Sequence, residues 1–193
     1  MTYSILLDVS SLMYRAHFAW GDRYHSPGGR LVGALHGYLD MTTRLLTSRR
    51  PDELVHAYDH EWRPSARTDI YPDYKANRPP DPEGLPDQFV MLRQVLDLAG
   101  MAQAMTRGWE AEDAIGAICA ASSTKDRIEI VSGDRDLIQL VRDPVVKLLY
   151  TVRGVSDLLE LDEAGVMERY GVPASRYAEF AILRGDPSDH LPG

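Results

Sequence analysis

Ser4-Ile5-Leu6-Leu7-Asp8 opens the chain with an unbroken apolar run that stops on a carboxylate. Such a run reads as a buried strand, here from Ser4 to Val9. Ser10-Ser11 then stands where a helix cap belongs, ahead of a helix through Tyr14 to Trp20. The pattern recurs twice. Leu54-Val55-His56-Ala57-Tyr58 ends on Asp59, and Ile128-Glu129-Ile130-Val131 leads into Ser132-Gly133-Asp134. Open α/β sheets bind ligands at the carboxyl ends of their strands, so acids recurring there point to one shared pocket.

Outward from these strands, Tyr24 to Arg30 contains Pro27-Gly28-Gly29 and reads as a loop. Leu31, Leu35, Tyr38, Leu39, Thr42, Leu45 and Leu46 keep helical spacing as far as Ser48, and Pro51 marks the stop. With a strand at Leu54 to Tyr58 this makes a β-α-β unit, whose strands are expected to be parallel with a right-handed crossover. A helix from Gln88 to Leu98, a short strand at Met101 to Met105 and a helix from Glu110 to Ala121 follow. After the strand at Ile128 to Val131 come a brief helix at Leu137 to Val141 and a strand at Val145 to Tyr150. Helices at Glu163 to Tyr170 and Ala174 to Leu183 close the chain. Strands alternating with helices predict an α/β fold with a mainly parallel central sheet flanked by helices. A length of 193 residues suits one domain, and 44% apolar residues suffice for its core.

Residues 60 to 86 break the alternation. Six of the twelve prolines fall between Pro64 and Pro86, interleaved with Arg63, Arg67, Tyr71, Tyr74, Lys75 and Arg78. A connection this long without regular structure is functional or disordered.

Taken singly, Asp8 and Asp59 read as turn or capping residues. Gly108-Trp109-Glu110-Ala111-Glu112-Asp113 is denser, and acids in a first helical turn also favour the macrodipole. Glu110 and Asp113 would share a face. Glu110 and Glu112 would diverge by about 200°, at ~100° per residue, unless Glu110 precedes the first full turn. Asp136, in Asp134-Arg135-Asp136, reads equally as a cap. So does Asp186 in Gly185-Asp186-Pro187-Ser188-Asp189, with Pro187 at the first helical position. Capping at every one of these places is the less economical account. A pocket crowded with carboxylates calls for hard divalent cations, and that implies metal-dependent phosphoryl chemistry.

The net charge of -8 lacks the basic excess usual in nucleic-acid binders. Bound cations would offset part of it, and an acidic surface also maintains solubility, so charge alone leaves both accounts open. Cys119 is the single cysteine, which leaves no internal disulfide and no cysteine-based zinc site. The six histidines show no zinc-ligand spacing. No apolar run is long enough to span a bilayer, and Met1-Thr2-Tyr3 enters a strand without a charged leader. The expected setting is the cytosol, with no membrane partner.

Five motifs together carry a resemblance. Leu7-Asp8-Val9-Ser10-Ser11-Leu12-Met13-Tyr14-Arg15-Ala16 looks like the opening of the bacterial 5'-nuclease family. Tyr74-Lys75-Ala76-Asn77-Arg78, Glu110-Ala111-Glu112-Asp113, Ser132-Gly133-Asp134-Arg135-Asp136-Leu137 and Gly185-Asp186-Pro187-Ser188-Asp189 follow in the family's order. That family includes flap endonucleases and the 5'-3' exonuclease domain of DNA polymerase I. The resemblance implies a PIN-like nuclease core over residues 1–193, with 60–86 as a helical arch over the acidic site. It places Asp8, Asp59, Glu110 and Glu112 around a first metal ion, and Asp134, Asp136, Asp186 and Asp189 around a second, with Asp113 near both. Bacterial members commonly carry Asp where this chain has Glu112. The ions implied are Mg²⁺ or Mn²⁺. Asp8, Asp59, Glu110 and Asp134 are the implied catalytic acids, and Lys75 is implied to polarise the scissile phosphate. Arg15 and Arg78 would be phosphate contacts, and Tyr74 would stack on a displaced base.

The partner implied is DNA with 5' flaps, nicks or free 5' ends, attacked by a monomer, with a DNA polymerase as a further associate. Family members usually continue into a helix-hairpin-helix clamp that often binds K⁺. That segment would begin beyond Leu191-Pro192-Gly193 and is expected to be absent from this chain, its K⁺ site with it. Two other readings compete: a PIN-like ribonuclease, and a noncatalytic module that binds branched DNA.

Overall fold

The chain's first strand, β1 (Tyr3–Asp8), is covered on both faces, which is why Ile5-Leu6-Leu7 shows no polar alternation. In the computed structural model, which describes residues 2–186 and 191–193, Ile5 and Leu7 belong to one apolar layer and Leu6 to the other. Two helices follow, α1 (Val9–Trp20) and α2 (Gly33–Arg49), and β2 (Glu53–Tyr58) then pairs parallel to β1 with Val55 opposite Leu6. One helical turn, α3 (Ser65–Thr68), and the longer α4 (Leu85–Leu98) lead to β3 (Ala102–Met105), parallel to β2. After α5 (Ala111–Ala121), β4 (Arg127–Ser132) pairs with the other side of β1. The remaining elements are β5 (Val146–Thr151), β6 (Leu158–Leu161), α6 (Glu163–Tyr170) and α7 (Tyr177–Arg184).

The six strands stand in the order β3-β2-β1-β4-β5-β6, with β6 antiparallel to β5 and the other neighbours parallel. On one face Leu12 and Met13 of α1, Tyr38 and Leu45 of α2, and Leu92 and Leu96 of α4 pack on Ile5, Leu7 and Val131. On the other, Ile115 and Cys119 of α5, Val166 of α6 and Tyr177 of α7 pack with Leu6, Ile130 and Leu148. Because β2 and β3 lie to one side of β1 and β4 and β5 to the other, the winding reverses at β1. The crevice outside the carboxyl ends of β1 and β4 is therefore the switch point of the sheet, where ligands of open α/β folds bind.

Two packing devices hold this frame. Gly37 lets α2 lie against α1, since a Cβ there would stand 2.4 Å from Trp20 Cδ1 and 2.9 Å from the Ala16 Cβ. The start of α2 has no capping side chain of its own, because Val32 occupies the cap. Gln88 of α4, wholly buried, supplies the missing acceptor: its Oε1 takes the amides of Ala34 (2.9 Å) and Leu35 (3.1 Å). At the far end of β4, buried Glu129 is satisfied by the Tyr3 hydroxyl (2.6 Å), Arg127 (2.6 Å) and Arg49 (3.3 Å).

The expected mainly parallel α/β sheet is present, with four differences. The helix after β1 is capped by Asp8, whose carboxylate accepts from the Ser11 amide (3.1 Å), and Ser10-Ser11 lie inside the helix. The stretch Leu137 to Val141 is a 3₁₀ segment, Asp136–Leu140. The helix expected over Ala174 to Leu183 divides into a 3₁₀ turn, Ala174–Arg176, and α7. β6 has no counterpart in the sequence reading, because its four residues gain strand character only by returning against β5. The position expected for Pro187 lies outside the described residues.

Replacing Gln88 by Ala leaves two amides of α2 without an acceptor and opens a small cavity. The unfolding free energy is expected to fall by about 2–3 kcal/mol, read from urea unfolding curves; a loss below about 0.5 kcal/mol would mean that water takes over the acceptor role.

Candidate active site

Three carboxylates reach the switch point from the sheet. Asp8 ends β1, nearly buried; its Oδ1 caps α1 and its Oδ2 accepts from the Ser132 hydroxyl at 2.5 Å. Ser132, wholly buried at the end of β4, also accepts from the Asp134 amide (2.9 Å), so one hydroxyl joins the strand-end acids. Asp59, one residue beyond β2, accepts from the Ser10 hydroxyl and from the Ala111 amide (2.7 Å), the latter tying it to the start of α5. Ser11 accepts from the Gly133 amide (2.8 Å), and Asp134 accepts from the Asp136 amide (2.8 Å), which starts the 3₁₀ segment. Sheet hydrogen bonding sets these positions, since Asp8 pairs opposite Ala57 and Leu7 opposite Val131.

Three more acids come from α5. Glu110 is its N-cap residue with extended backbone, so it precedes the first turn, as convergence with Glu112 requires. Asp113 accepts from the Glu110 amide at 3.0 Å. Glu110 itself is only 3% exposed. A carboxylate so buried requires donors, and the 60–86 segment provides them. Lys75 Nζ donates to Glu110 Oε1, while Arg67 Nη1 and the Tyr74 hydroxyl (2.8 Å) donate to Oε2. The same Arg67 Nη1 reaches Glu112 Oε1 (2.7 Å) and the Tyr74 oxygen (2.7 Å), and its Nη2 lies 3.1 Å from both oxygens of Asp113.

Mutual repulsion shows in the proton affinities. Burial pushes Asp8 up to about 7; Asp59 and Asp134 add to the shift, and the Ser132 bond opposes it. Burial also pushes Glu112 up to about 8, with Asp134 and Glu110 reinforcing it and Arg67 opposing. An all-oxygen donor set rich in negative charge fits a hard divalent cation. Yet among the described residues no three His, Cys, Asp or Glu side chains are arranged to hold an ion as they stand. The arginine and lysine of the 60–86 segment occupy oxygens that an ion would need.

The other expected residues are placed as follows. Asp136 lies in a cleft of about 410 Å³ with Arg67, Tyr74, Glu112, Asp113 and Leu191. Asp186 exchanges backbone hydrogen bonds (2.9 Å each) with Leu191, which lines that cleft; Asp189 lies outside the described residues. Arg15 donates to the Val152 carbonyl (3.2 Å) and backs the Gly133 turn, with its Nη2 3.0 Å from where a Cβ on Gly133 would stand. Arg78 is exposed, and its amide donates to the Lys75 carbonyl (3.2 Å).

Two residues expected to contact substrate face inward in this structure. Tyr74, expected to offer its ring to a base, is 7% exposed, and Lys75, expected to reach a phosphate, is 6% exposed. Both are drawn inward by Glu110, whose buried charge outcompetes solvent for donors. The 60–86 segment, expected as a helical arch, holds a single helical turn, α3, followed by irregular chain, in keeping with its prolines. From sequence Ser10 was expected only as part of a helix cap, and Ser132 and Arg67 had no assigned role. Ser132 stands inside a quoted motif, but Arg67 has no local signal, since its partners lie 43 to 46 positions away.

Comparison with known proteins identifies the family. The family model described as 5'-3' exonuclease, N-terminal resolvase-like domain, matches residues 3–171. A 5'-3' exonuclease of Streptomyces coelicolor is 44% identical over 201 residues, covering 98% of this chain and 66% of the relative. A DNA polymerase I of Mycobacterium bovis is 37% identical over 191 residues, covering 98% of this chain and 21% of the relative. The chain thus spans just under two thirds of the stand-alone exonuclease. The crystal structure of the T5 D15 protein co-crystallised with metal ions superposes with a TM-score of 0.76 at 19% identity, over 99% of this chain and 69% of that one, and so shares the fold. With its family match running from β1 to the end of α6, and its acids gathered at the sheet's switch point, the chain belongs to the 5'-3' exonuclease family, as its N-terminal resolvase-like domain.

Proposed function

We propose that this chain is the catalytic core of a structure-specific 5' nuclease that hydrolyses phosphodiesters of DNA at 5' flaps, nicks or free 5' ends with the help of divalent cations. The observation that carries the reading is the convergence of Asp8, Asp59 and Asp134 from three strand ends with Glu110 and Glu112 from the start of α5. Asp8, Asp59, Glu110 and Glu112 would hold a first Mg²⁺ or Mn²⁺. Asp134, Asp136, Asp186 and Asp189 would hold a second, and Asp113 borders both sets. When bound, such ions lower the pKa of a coordinated water and stabilise the charge of an in-line displacement.

The chain's own residues supply the rest. Ser132 and Ser10 hold Asp8 and Asp59 in fixed rotamers through their hydroxyls. Lys75 and Arg78 sit on the segment proposed to act as the arch, where their charges suit a substrate phosphate. Arg15, beside the Gly133 turn, would meet the backbone of a nucleic acid entering along α1. Burial of Tyr74 and Lys75 against Glu110 means that the arch must lift before either meets substrate.

The deciding experiment is cleavage of a 5'-labelled flap DNA, beside an RNA of the same sequence, with Mg²⁺, Mn²⁺ or EDTA. Metal-dependent cutting of the DNA supports the proposal. Cutting of the RNA alone would make the protein a ribonuclease of similar fold, and binding without cutting would make it a noncatalytic module.

Asp134→Asn should lower flap cleavage by about 100-fold or more while the fold persists by circular dichroism. Its melting temperature in EDTA should hold or rise, because Asp134 repels both Asp8 and Glu112. Metal affinity should depend on pH in a fixed direction. Below about pH 7 and 8 protons occupy Asp8 and Glu112, and a cation must displace them. Calorimetric titration with Mg²⁺ should therefore show affinity weakening from about pH 8.5 to about pH 6, by up to about tenfold per unit for each proton displaced. A pH-independent affinity would place the ion away from these two acids.

A further inference from the structure

Arg67 and Lys75 together bring two positive charges to the acids at the start of α5, the charge of one divalent ion. Arg67 donates to Glu110, Glu112 and Asp113 and to the Tyr74 hydroxyl, while Lys75 donates to the other oxygen of Glu110. These are the oxygens that a cation would need. The two residues also belong to one connected piece. Tyr74 lies between them, with the Arg67 guanidinium 5.5 Å and the Lys75 ammonium 5.0 Å from its ring centre. Arg63 ties the piece together by donating to the Tyr74 carbonyl (2.7 Å) and to the Pro72 carbonyl. Lys75 is held with φ of +53°, a left-handed conformation that a lysine keeps only where surrounding contacts impose it.

On the sheet side the arrangement differs. Asp8 and Asp59 are held by serine hydroxyls and backbone amides, neutral donors that leave their charge in place. The site thus has a permanent half built into the fold and a half neutralised by side chains on a segment fastened at its far end through Tyr14 and Asp81.

We infer that Arg67, with Lys75, is an internal counter-ion that competes with the divalent cation, so that metal binding and the closed position of the 60–86 segment exclude one another. The inference rests on the reading of Glu110, Glu112 and Asp113 as metal-site carboxylates. Like charges sharing these oxygens repel, so an ion entering expels the guanidinium, and the ammonium and Tyr74 leave with it. By linkage, the factor by which Arg67 weakens metal binding equals the factor by which metal loosens the segment. The same exchange turns Lys75 and Tyr74 from ligands of Glu110 into groups free to meet a phosphate and a base. Metal loading thereby readies the segment for substrate, and the metal-free protein stays closed and neutralised.

The test uses metal binding and segment exposure, not turnover. Ca²⁺ and Mg²⁺ are titrated calorimetrically into the metal-free chain and into Arg67→Gln. The variant is expected to bind roughly 10-fold more tightly, within the usual range for coupled sites. Its melting temperature in EDTA should fall below wild type and recover on adding metal. In the unmutated protein, limited trypsin digestion should cut after Arg67 or Lys75, whose next residues are not proline, faster with Mg²⁺ than without added metal, which tests the exchange even if the variant folds poorly. Equal or weaker metal binding by Arg67→Gln would overturn the inference, as would a segment equally protected with and without metal. Absence of divalent binding by either protein would overturn the metal-site reading itself, and this inference with it.

Discussion

Electrostatic repulsion among carboxylates at the end of a parallel sheet is the constraint on which the rest of this structure depends. Asp8, Asp59 and Asp134 are placed by strand register, and Glu110, Glu112 and Asp113 by the first turn of α5, so the backbone concentrates the acids before any side chain chooses a conformation. Burial at a switch point raises the cost, because charge is poorly screened there. The consequence is visible in Asp8 and Glu112, both pushed to hold protons near neutrality. A protein with this arrangement must find positive charge or donors somewhere.

It finds them at three depths. Deepest are the serines, with Ser132 donating to Asp8 and Ser10 donating to Asp59. Next come the amides at the start of α5, where the helix dipole also favours negative charge. Outermost is the proline-rich connection between β2 and α4, which turns Arg67, Tyr74 and Lys75 inward on Glu110. Prolines keep that connection from becoming a regular helix, so carbonyls such as those of Pro72 and Tyr74 are taken by Arg63 instead of by neighbouring turns. The first two depths belong to the fold; the third is the one that can be exchanged for an ion.

This division also reconciles the chain's net charge of -8 with the nuclease proposed for it. Part of the excess sits in the site itself, where it would serve cation capture instead of opposing a substrate. Positive charge also lies elsewhere, in a cleft of about 930 Å³ lined by Arg15, Arg23, Arg44 and Arg153 beside exposed Phe18, with Arg44 paired to Asp40. Local sign, rather than the overall balance, is what a phosphate backbone encounters.

The sequence by itself determined the architecture and the roster of acids. Apolar runs at Ser4-Ile5-Leu6-Leu7, Leu54 to Tyr58 and Ile128 to Val131 are buried strands because covering both faces demands uninterrupted apolar side chains, and Asp8, Asp59 and Asp134 follow from where those runs stop. That Glu110 must precede the first turn of its helix to share a pocket with Glu112 was also legible, from helical geometry alone. Tertiary structure alone decided the partners. Nothing local marks Arg67 as the residue that spans Glu110, Glu112 and Asp113, or turns Tyr74 and Lys75 away from solvent, because those bonds join positions 35 to 46 residues apart. β6 escaped for the same reason, being a strand only by virtue of β5 beside it. Periodicity reports which face of an element is buried; which charge lies against which is settled by packing, once the sheet has brought distant segments to one end.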